Sequence, residues 1–386
     1  MKTGSLRTLA AACGAALLAA AVSAPLAGCA SKPKTPRDEV FRKAMAEGFG
    51  FTGRLLAVDL GQQGRVRVRP ESVRLDGEYL FLQEDNLRFN AIGRENLHLG
   101  WSYAGFGVPL RGTPVLSTTS FLGMTTTELH TVNLDYGHND GAPIHFDLAP
   151  SARFVATAGT AYVPCWGGSR GEKTLRTLNL ATGLEGWGYR TPGDIRGNMA
   201  LGGVPPREMV YFATDAGEVC CLPSAGADGP APDVLWSTNV HGPVTAGLEV
   251  SGEELFVASE DGFLYCMDRI TGIHRWAAPH QTPLTEAPVA TAGSVYQFRT
   301  GGLWCHDRAT GAVRWKLKGA VRFVLERDGK SVVQMEDGSL AAVAADGTVS
   351  GRLGHGGYAY PTNRRDANLY AVSGDGFVVK LEVGGE

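Results

Sequence analysis

Phe263-Leu-Tyr-Cys-Met-Asp268-Arg-Ile-Thr271-Gly272-Ile-His-Arg-Trp276 and Leu303-Trp-Cys-His-Asp307-Arg-Ala-Thr310-Gly311-Ala-Val-Arg-Trp315 are two copies of one pattern. Each reads as an alternating strand, a turn Asp-x-x-Thr-Gly, and a second strand that carries Trp. Leu175-Arg-Thr-Leu-Asn179-Leu-Ala-Thr182-Gly183-Leu-Glu-Gly-Trp187 is a third copy with Asn in place of Asp. The chemistry of the turn is consistent in all three. An Asp or Asn carboxyl or amide oxygen accepts backbone N–H groups at its start, and Gly supplies the positive φ required at its exit.

Upstream of each copy lies another strand closed by a tight turn: residues 254–259 before Asp261-Gly262, 209–214 before Asp215-Ala-Gly217, and 294–299 before Gly301-Gly302. A further strand is expected around Val244, Val289 and Val115, which makes four strands per unit in a meander. Trp measures the unit. Trp276 and Trp315 are 39 residues apart, Trp236 and Trp276 are 40, and Trp187 and Trp236 are 49. Trp101 and Trp187 are 86 apart, two units of 43, with His145 and Phe146 at the expected place of the missing Trp. Past Trp315 the pattern weakens, and the last copy, residues 368–383, stops before its final strand.

Four-stranded units of about 40 residues suit the blades of a β-propeller, where each sheet covers the apolar face of its neighbour. The expected fold is therefore all-β, with four-stranded antiparallel blades, eight by this count and seven as the alternative. Residues 54–59 and 65–68 look like the outer strands missing from the last blade, so an N-terminal strand is expected to close the ring and remove an exposed edge. Trp101, Trp187, Trp236, Trp276 and Trp315, with Asp268, Gly272, Asp307 and Gly311, are the expected blade-packing residues. Their regular phase speaks for inter-blade packing rather than an aromatic ligand cage.

Composition agrees. Gly is the outlier, 52 of 386 residues, while apolar residues make up 44%, as expected of many turns joining short apolar strands. A net charge of −3, with Lys and Arg spread evenly, gives no electrostatic footprint for nucleic acid.

The N-terminus has a different character. Lys2 and Arg7 precede an uncharged Ala- and Leu-rich run over residues 8–28, the pattern of an export signal. It ends in Leu26-Ala27-Gly28-Cys29, which resembles a bacterial lipobox. The resemblance implies cleavage before Cys29 and lipidation of its sulfur. Ala30 and Ser31 follow, with no Asp of the kind that marks inner-membrane retention, so the implied address is the periplasmic face of the outer membrane. The expected organisation is a signal peptide over residues 1–28, a lipidated tether with a short helix over 29–50, and a propeller over 51–386. No other segment approaches the roughly 18 consecutive apolar residues of a membrane span. Residues 37–48 are amphipathic, with Val40, Phe41 and Met45 among charges. They read as a helix that packs on the propeller or docks a partner, and the sequence favours neither.

The repeat itself, over roughly residues 54–383 and most clearly over 160–317, resembles that of the pyrroloquinoline-quinone-type propellers. That superfamily holds quinone-dependent alcohol and glucose dehydrogenases and also non-enzymatic lipoproteins of outer-membrane β-barrel assembly. Length, lipobox and a tether running directly into the propeller are similar to the second group. The resemblance implies a lipid-anchored, non-enzymatic, monomeric scaffold for protein partners at the cell envelope, with no cofactor, no metal and no catalytic residue. The alternatives are a quinone-dependent dehydrogenase or a ligand-sensing propeller. Cys220-Cys221 is the one feature that favours the dehydrogenases, some of which place two adjacent half-cystines against the quinone. The acidic residue and Arg-Gly that would follow such a pair are absent, and calcium needs six or more oxygens that this sequence does not assemble. In the repeat alignment Cys221 shares a small-residue slot with Cys266 and Cys305, so packing is the plainer reading. With Cys165 these make five thiols beyond Cys29, and no structural disulfide is expected, since equivalent slots in neighbouring blades lie too far apart.

Other chemistry is thin. Nine His are scattered without metal spacing, and Asp135-Tyr-Gly-His138-Asn-Asp140-Gly, the one ligand-rich cluster, replaces a turn in the degenerate second unit. Neither a nucleophile elbow nor a phosphate loop appears. Departures from the repeat at residues 137–143, 167–173 and 223–233 are the candidate contact loops.

Overall fold

In a computed structural model of the chain, which describes residues 36–63, 66–110, 114–117, 119–147, 150–166, 174–204, 207–353 and 357–382, the strands form eight four-stranded antiparallel sheets. The signal-like segment, Cys29 and the tether up to residue 35 lie outside the described residues, as does the insertion at 167–173. Alternation builds each blade. In the fifth, Leu248–Ser251, Glu254–Ala258, Phe263–Asp268 and His274–Pro279 run inner to outer as a meander. Its two middle strands are buried on both faces, because successive side chains meet opposite neighbouring blades.

The eighth blade is built from both ends of the chain. Tyr358–Ala359, Leu369–Ser373 and Phe377–Leu381 supply three strands, and Leu55–Asp59 pairs antiparallel with Phe377–Leu381 as the outermost, in register Leu55↔Leu381 to Asp59↔Phe377. The count is eight, and the ring closes through the N-terminal strand as expected. One strand does this, not two. Val68 makes only a single bridge to Glu84 and donates its N–H to Gly374 O, because the outer edge is already occupied by Leu55–Asp59.

Two other expectations shift. The inner strand of the fifth blade starts at Leu248, not around Val244; Val244 is buried between the fourth and fifth blades and donates its N–H to Thr214 O of the fourth. In the second blade the residue at the Trp place is Ile144. A β-carbon on Gly183 would lie 3.5 Å from Ile144 Cγ1, which is the contact Trp makes with Gly elsewhere in the ring. His145 is largely exposed beside Glu128, and Phe146 is buried within its own blade interface.

The segment 37–48 resolves toward the first of its two readings. Pro36–Phe49 is a helix, and Phe41 and Met45 are buried with Phe51 against Leu340 and Leu353 of the seventh blade and Leu369 and Phe377 of the eighth. Arg327 caps this junction, its guanidinium 4.9 Å from the Phe51 ring centre. Among the described residues no helix is long and apolar enough to cross a membrane.

Candidate functional site

At four blade junctions the repeat residues come together as a clasp of Trp on Gly. Trp236 of the fourth blade lies on Gly272 of the fifth, and Trp276 of the fifth lies on Gly311 of the sixth. A β-carbon on either Gly would fall 2.6 or 2.5 Å from indole Cε3. Trp101 covers Gly137 and Trp315 covers Gly347 in the same way. The indole N–H completes the contact: Trp101 donates to Leu134 O at 2.7 Å, Trp236 to Arg269 O at 3.1 Å and Trp276 to Arg308 O at 3.0 Å. Gly is required there twice over, since φ is +72° at Gly272 and +73° at Gly311.

Asp268 and Asp307 shape the turn that is clasped. Asp268 Oδ1 accepts the N–H groups of Ile270 and Thr271 and the Thr271 hydroxyl, and Asp307 repeats this with Ala309 and Thr310. The second carboxylate oxygen takes an arginine that the sequence reading missed, Arg275 at 2.6 Å or Arg314 at 2.7 Å. Each arginine is the extra residue of a β-bulge immediately before the Trp, visible as the register step from Met267↔His274 to Cys266↔Trp276. The bulge aims the indole at the next blade. The Arg275 guanidinium holds the Asp268 carboxyl down at about 2, and Arg314 does the same for Asp307.

Cys221, Cys266 and Cys305 stand directly opposite Trp236, Trp276 and Trp315 on the neighbouring strand, and Ala91 fills that place opposite Trp101. A small side chain leaves room for the indole. Cys220 and Cys221 are successive strand residues, so their sulfurs face opposite blade interfaces: Cys220 packs with Phe212 and Trp187, Cys221 with Tyr211 and Trp236. Both are free thiols, and burial pushes each up to about 12. Neither lines the central cavity.

The candidate loops divide. In 223–233 the first half belongs to the clasp: Gly226 O accepts the Trp187 indole N–H at 3.0 Å, Ala225 O accepts the Tyr162 hydroxyl at 2.7 Å, and the Asp228 carboxylate accepts Asn179 Nδ2. Its tip from Gly229 to Ala231 is exposed. In 137–143, Asn139 Oδ1 accepts the Tyr103 hydroxyl at 2.7 Å, while His138 and Asp140 face outward. Among the described residues no group of three His, Cys, Asp or Glu side chains is placed to hold a metal.

At the centre of the ring the inner strands enclose a cavity of about 1330 Å³. Its wall is rich in arginine, and most of the guanidiniums are paired. Arg94 donates to Asp366, Asn363 and Gly77 O; Arg308 donates to Glu254, Thr291 O and Ser251 O. Arg364 of the eighth blade pairs with Glu249 of the fifth, spanning the channel. Nothing in the sequence repeat signals this lining, because inner-strand residues differ from blade to blade.

Against known proteins, a family model described as outer membrane protein assembly factor BamB matches residues 171–296 and 264–384, together more than half of the chain. No curated protein matches. Solved structures that superpose on the ring include BamB from Moraxella catarrhalis, at 17% identity and a TM-score of 0.62, covering 84% of this chain and 97% of that one. The computationally designed Ika8 protein superposes at 12% identity and a TM-score of 0.59, covering 83% and 97%. At these identities the likeness is one of fold.

Proposed function

Because this chain belongs to the family of the outer membrane protein assembly factor BamB, we propose that it is a non-enzymatic scaffold that holds protein partners at the bacterial cell envelope during outer-membrane protein assembly. The observation that carries this reading is the family match across the repeat, on a ring whose recurring residues join blades. The Asp, Thr, Gly, Trp and Cys positions that recur from blade to blade make the clasp, and they leave the exposed loop tips to meet other proteins.

Two further parts of the reading concern the N-terminus. Residues 1–28 act as a lipoprotein signal, Cys29 carries the lipid, and the chain resides on the periplasmic face of the outer membrane as a monomeric propeller. Two or three acyl chains, at about 0.8 kcal/mol per buried methylene, hold a protein on a membrane durably. The docked helix beginning at Pro36 then limits the tether. Seven residue steps separate it from Cys29, a reach of at most about 25 Å. Lipidation would therefore keep the junction of the seventh and eighth blades close to the membrane and turn the opposite side of the ring, the third and fourth blades, away from it.

The test is affinity capture from membranes with the full chain and with Cys29→Ala. The expected result is that the full chain fractionates with the outer membrane and co-purifies β-barrel assembly proteins, and that the variant becomes soluble and captures less. Quinone- and calcium-dependent dye reduction by the purified chain, with no envelope partner captured, would overturn the scaffold reading in favour of a dehydrogenase.

A further inference from the structure

Apart from Arg322, which is exposed, the arginines of the central cavity fall into two sets. Arg94, Arg308, Arg364 and Arg365 each have a carboxylate partner. Arg74, on the inner strand of the first blade, has none among the described residues: its Nε, Nη1 and Nη2 are all buried without a hydrogen-bond partner. Arg153, immediately before the inner strand of the third blade, is close behind. One of its nitrogens donates to Pro114 O at 3.1 Å, and its Nε is buried without a partner. The two side chains share the cavity wall, where Arg153 disfavours the charge on Arg74 and the Asp76 carboxylate favours the charge on both. Burial pulls the Arg74 guanidinium down to about 9, so it remains charged at neutral pH.

A guanidinium keeps its proton in proteins, so this arrangement cannot be relieved by neutralising either side chain. Water satisfies donors but does not neutralise charge. An acceptor-only anion does both, and two guanidiniums offer the fork geometry that carboxylate and phosphate oxygens fit. Both side chains also border a cavity of about 1330 Å³, large enough to admit a small molecule.

We propose that Arg74 and Arg153 form a binding site for a small oxyanion, of the phosphate or carboxylate type, in the wall of the central channel. The site lies apart from the blade clasps and from the exposed loop tips, so its occupancy is independent of the scaffold reading above. It gives the channel a ligand chemistry of its own and makes the inner ends of the first and third blades sensitive to that ligand.

Isothermal titration calorimetry of the chain from residue 30, with inorganic phosphate and separately with succinate, tests this at an ionic strength held constant with sodium chloride. The expected result is saturable binding of one anion per chain, weakened at least tenfold in Arg74→Met and in Arg153→Met and unchanged in Arg299→Met, an arginine outside the channel. Binding of phosphate alone or of succinate alone supports the site and assigns its ligand class. Because phosphate stabilises folded proteins generally through exclusion from their surfaces, a rise in Tm shared equally by wild type and Arg74→Met counts against the site. No saturable heat with either anion, or full affinity retained in both Met variants, overturns it. Should Arg74→Met not fold, Arg153→Met carries the comparison alone.

Discussion

Trp236 lies on Gly272 across the junction between the fourth and fifth blades, where Tyr211 and Val219 of one blade also pack with Leu255 and Met267 of the other. The indole lies so close that a β-carbon on Gly272 would stand 2.6 Å from Cε3, while its N–H reaches Arg269 O, three residues earlier in the same turn, at 3.1 Å. One side chain thus reads both ends of the Asp-x-x-Thr-Gly turn. Gly272→Ala meets two penalties, the left-handed φ of +72° and the collision with the indole. Together they amount to about 2–4 kcal/mol, summing the backbone and overpacking costs. Gly329→Ala is the control: φ is +70° and nothing lies within 4 Å of the added carbon, so only about 1 kcal/mol is expected. Urea unfolding of both variants checks the difference. Equal losses would show that the indole yields freely and that the clasp is loose.

The clasp also explains how much of the fold is legible in the sequence. Asp268, Thr271, Gly272 and Trp276 recur because a single contact, made at successive blade junctions, imposes the same demands on turn geometry and side-chain size. The repeat therefore revealed the four-stranded unit and the eight-blade ring. Where the contact persisted with different residues, reading failed. Ile144 does the work of Trp on Gly183, but an aliphatic residue in a strand carries no distinguishing signal, and His145 and Phe146 beside it are the more distinctive residues at that spacing. The arginines at Arg74 and Arg153 were invisible for a related reason. They lie on or beside short inner strands, where curvature toward the channel makes each blade's residues different, and no spacing links positions 79 residues apart.

The thiols offer a second test. Cys220 and Cys221 are each pushed from 9 up to about 12 by burial, so at pH 8 the reactive thiolate is about a thousandfold scarcer than for an ordinary cysteine. In the chain from residue 30, a thiol reagent is expected to label neither under native conditions, and to label both at the rate of unfolding once denaturant is added. Rapid native labelling of Cys220 or Cys221 would place the pair at an accessible surface. Cys221→Ala should cost no more than about 1.5 kcal/mol, because Ala91 already fills the equivalent place opposite Trp101.

Ring closure is a third. Leu55–Asp59 covers the edge of Phe377–Leu381, whose backbone would otherwise face solvent. A chain starting at residue 61 should lose hydrogen-exchange protection first at residues 377–381, and should associate through that edge as its concentration rises. The buried contacts of Phe41 and Met45 with the seventh and eighth blades go with it. Protection at 377–381 equal to that of the full chain, in a monomer, would mean that the eighth blade is stable with three strands.

Acid should loosen the clasp through its aspartates. Asp268 and Asp307 are each held from 3.8 down to about 2, first by Arg275 and Arg314 and then by the turn's own donors. The folded value is the depressed one, so the stabilisation is fully present above the unfolded value near 4 and disappears as pH falls through 2. Both carboxylates are solvent-exposed, and screening keeps each contribution small; the loss becomes legible through comparison with a variant. Asn keeps the turn, as Asn179 does by accepting the N–H groups of Ala181 and Thr182 at 2.9 and 3.0 Å, but it has no charge to titrate. The urea midpoint of wild type is therefore expected to fall more steeply between pH 4 and pH 2 than that of the Asp268→Asn, Asp307→Asn double variant. If the two fall in parallel, the arginine pairs contribute nothing to folding, and the bulge serves only to aim the indole.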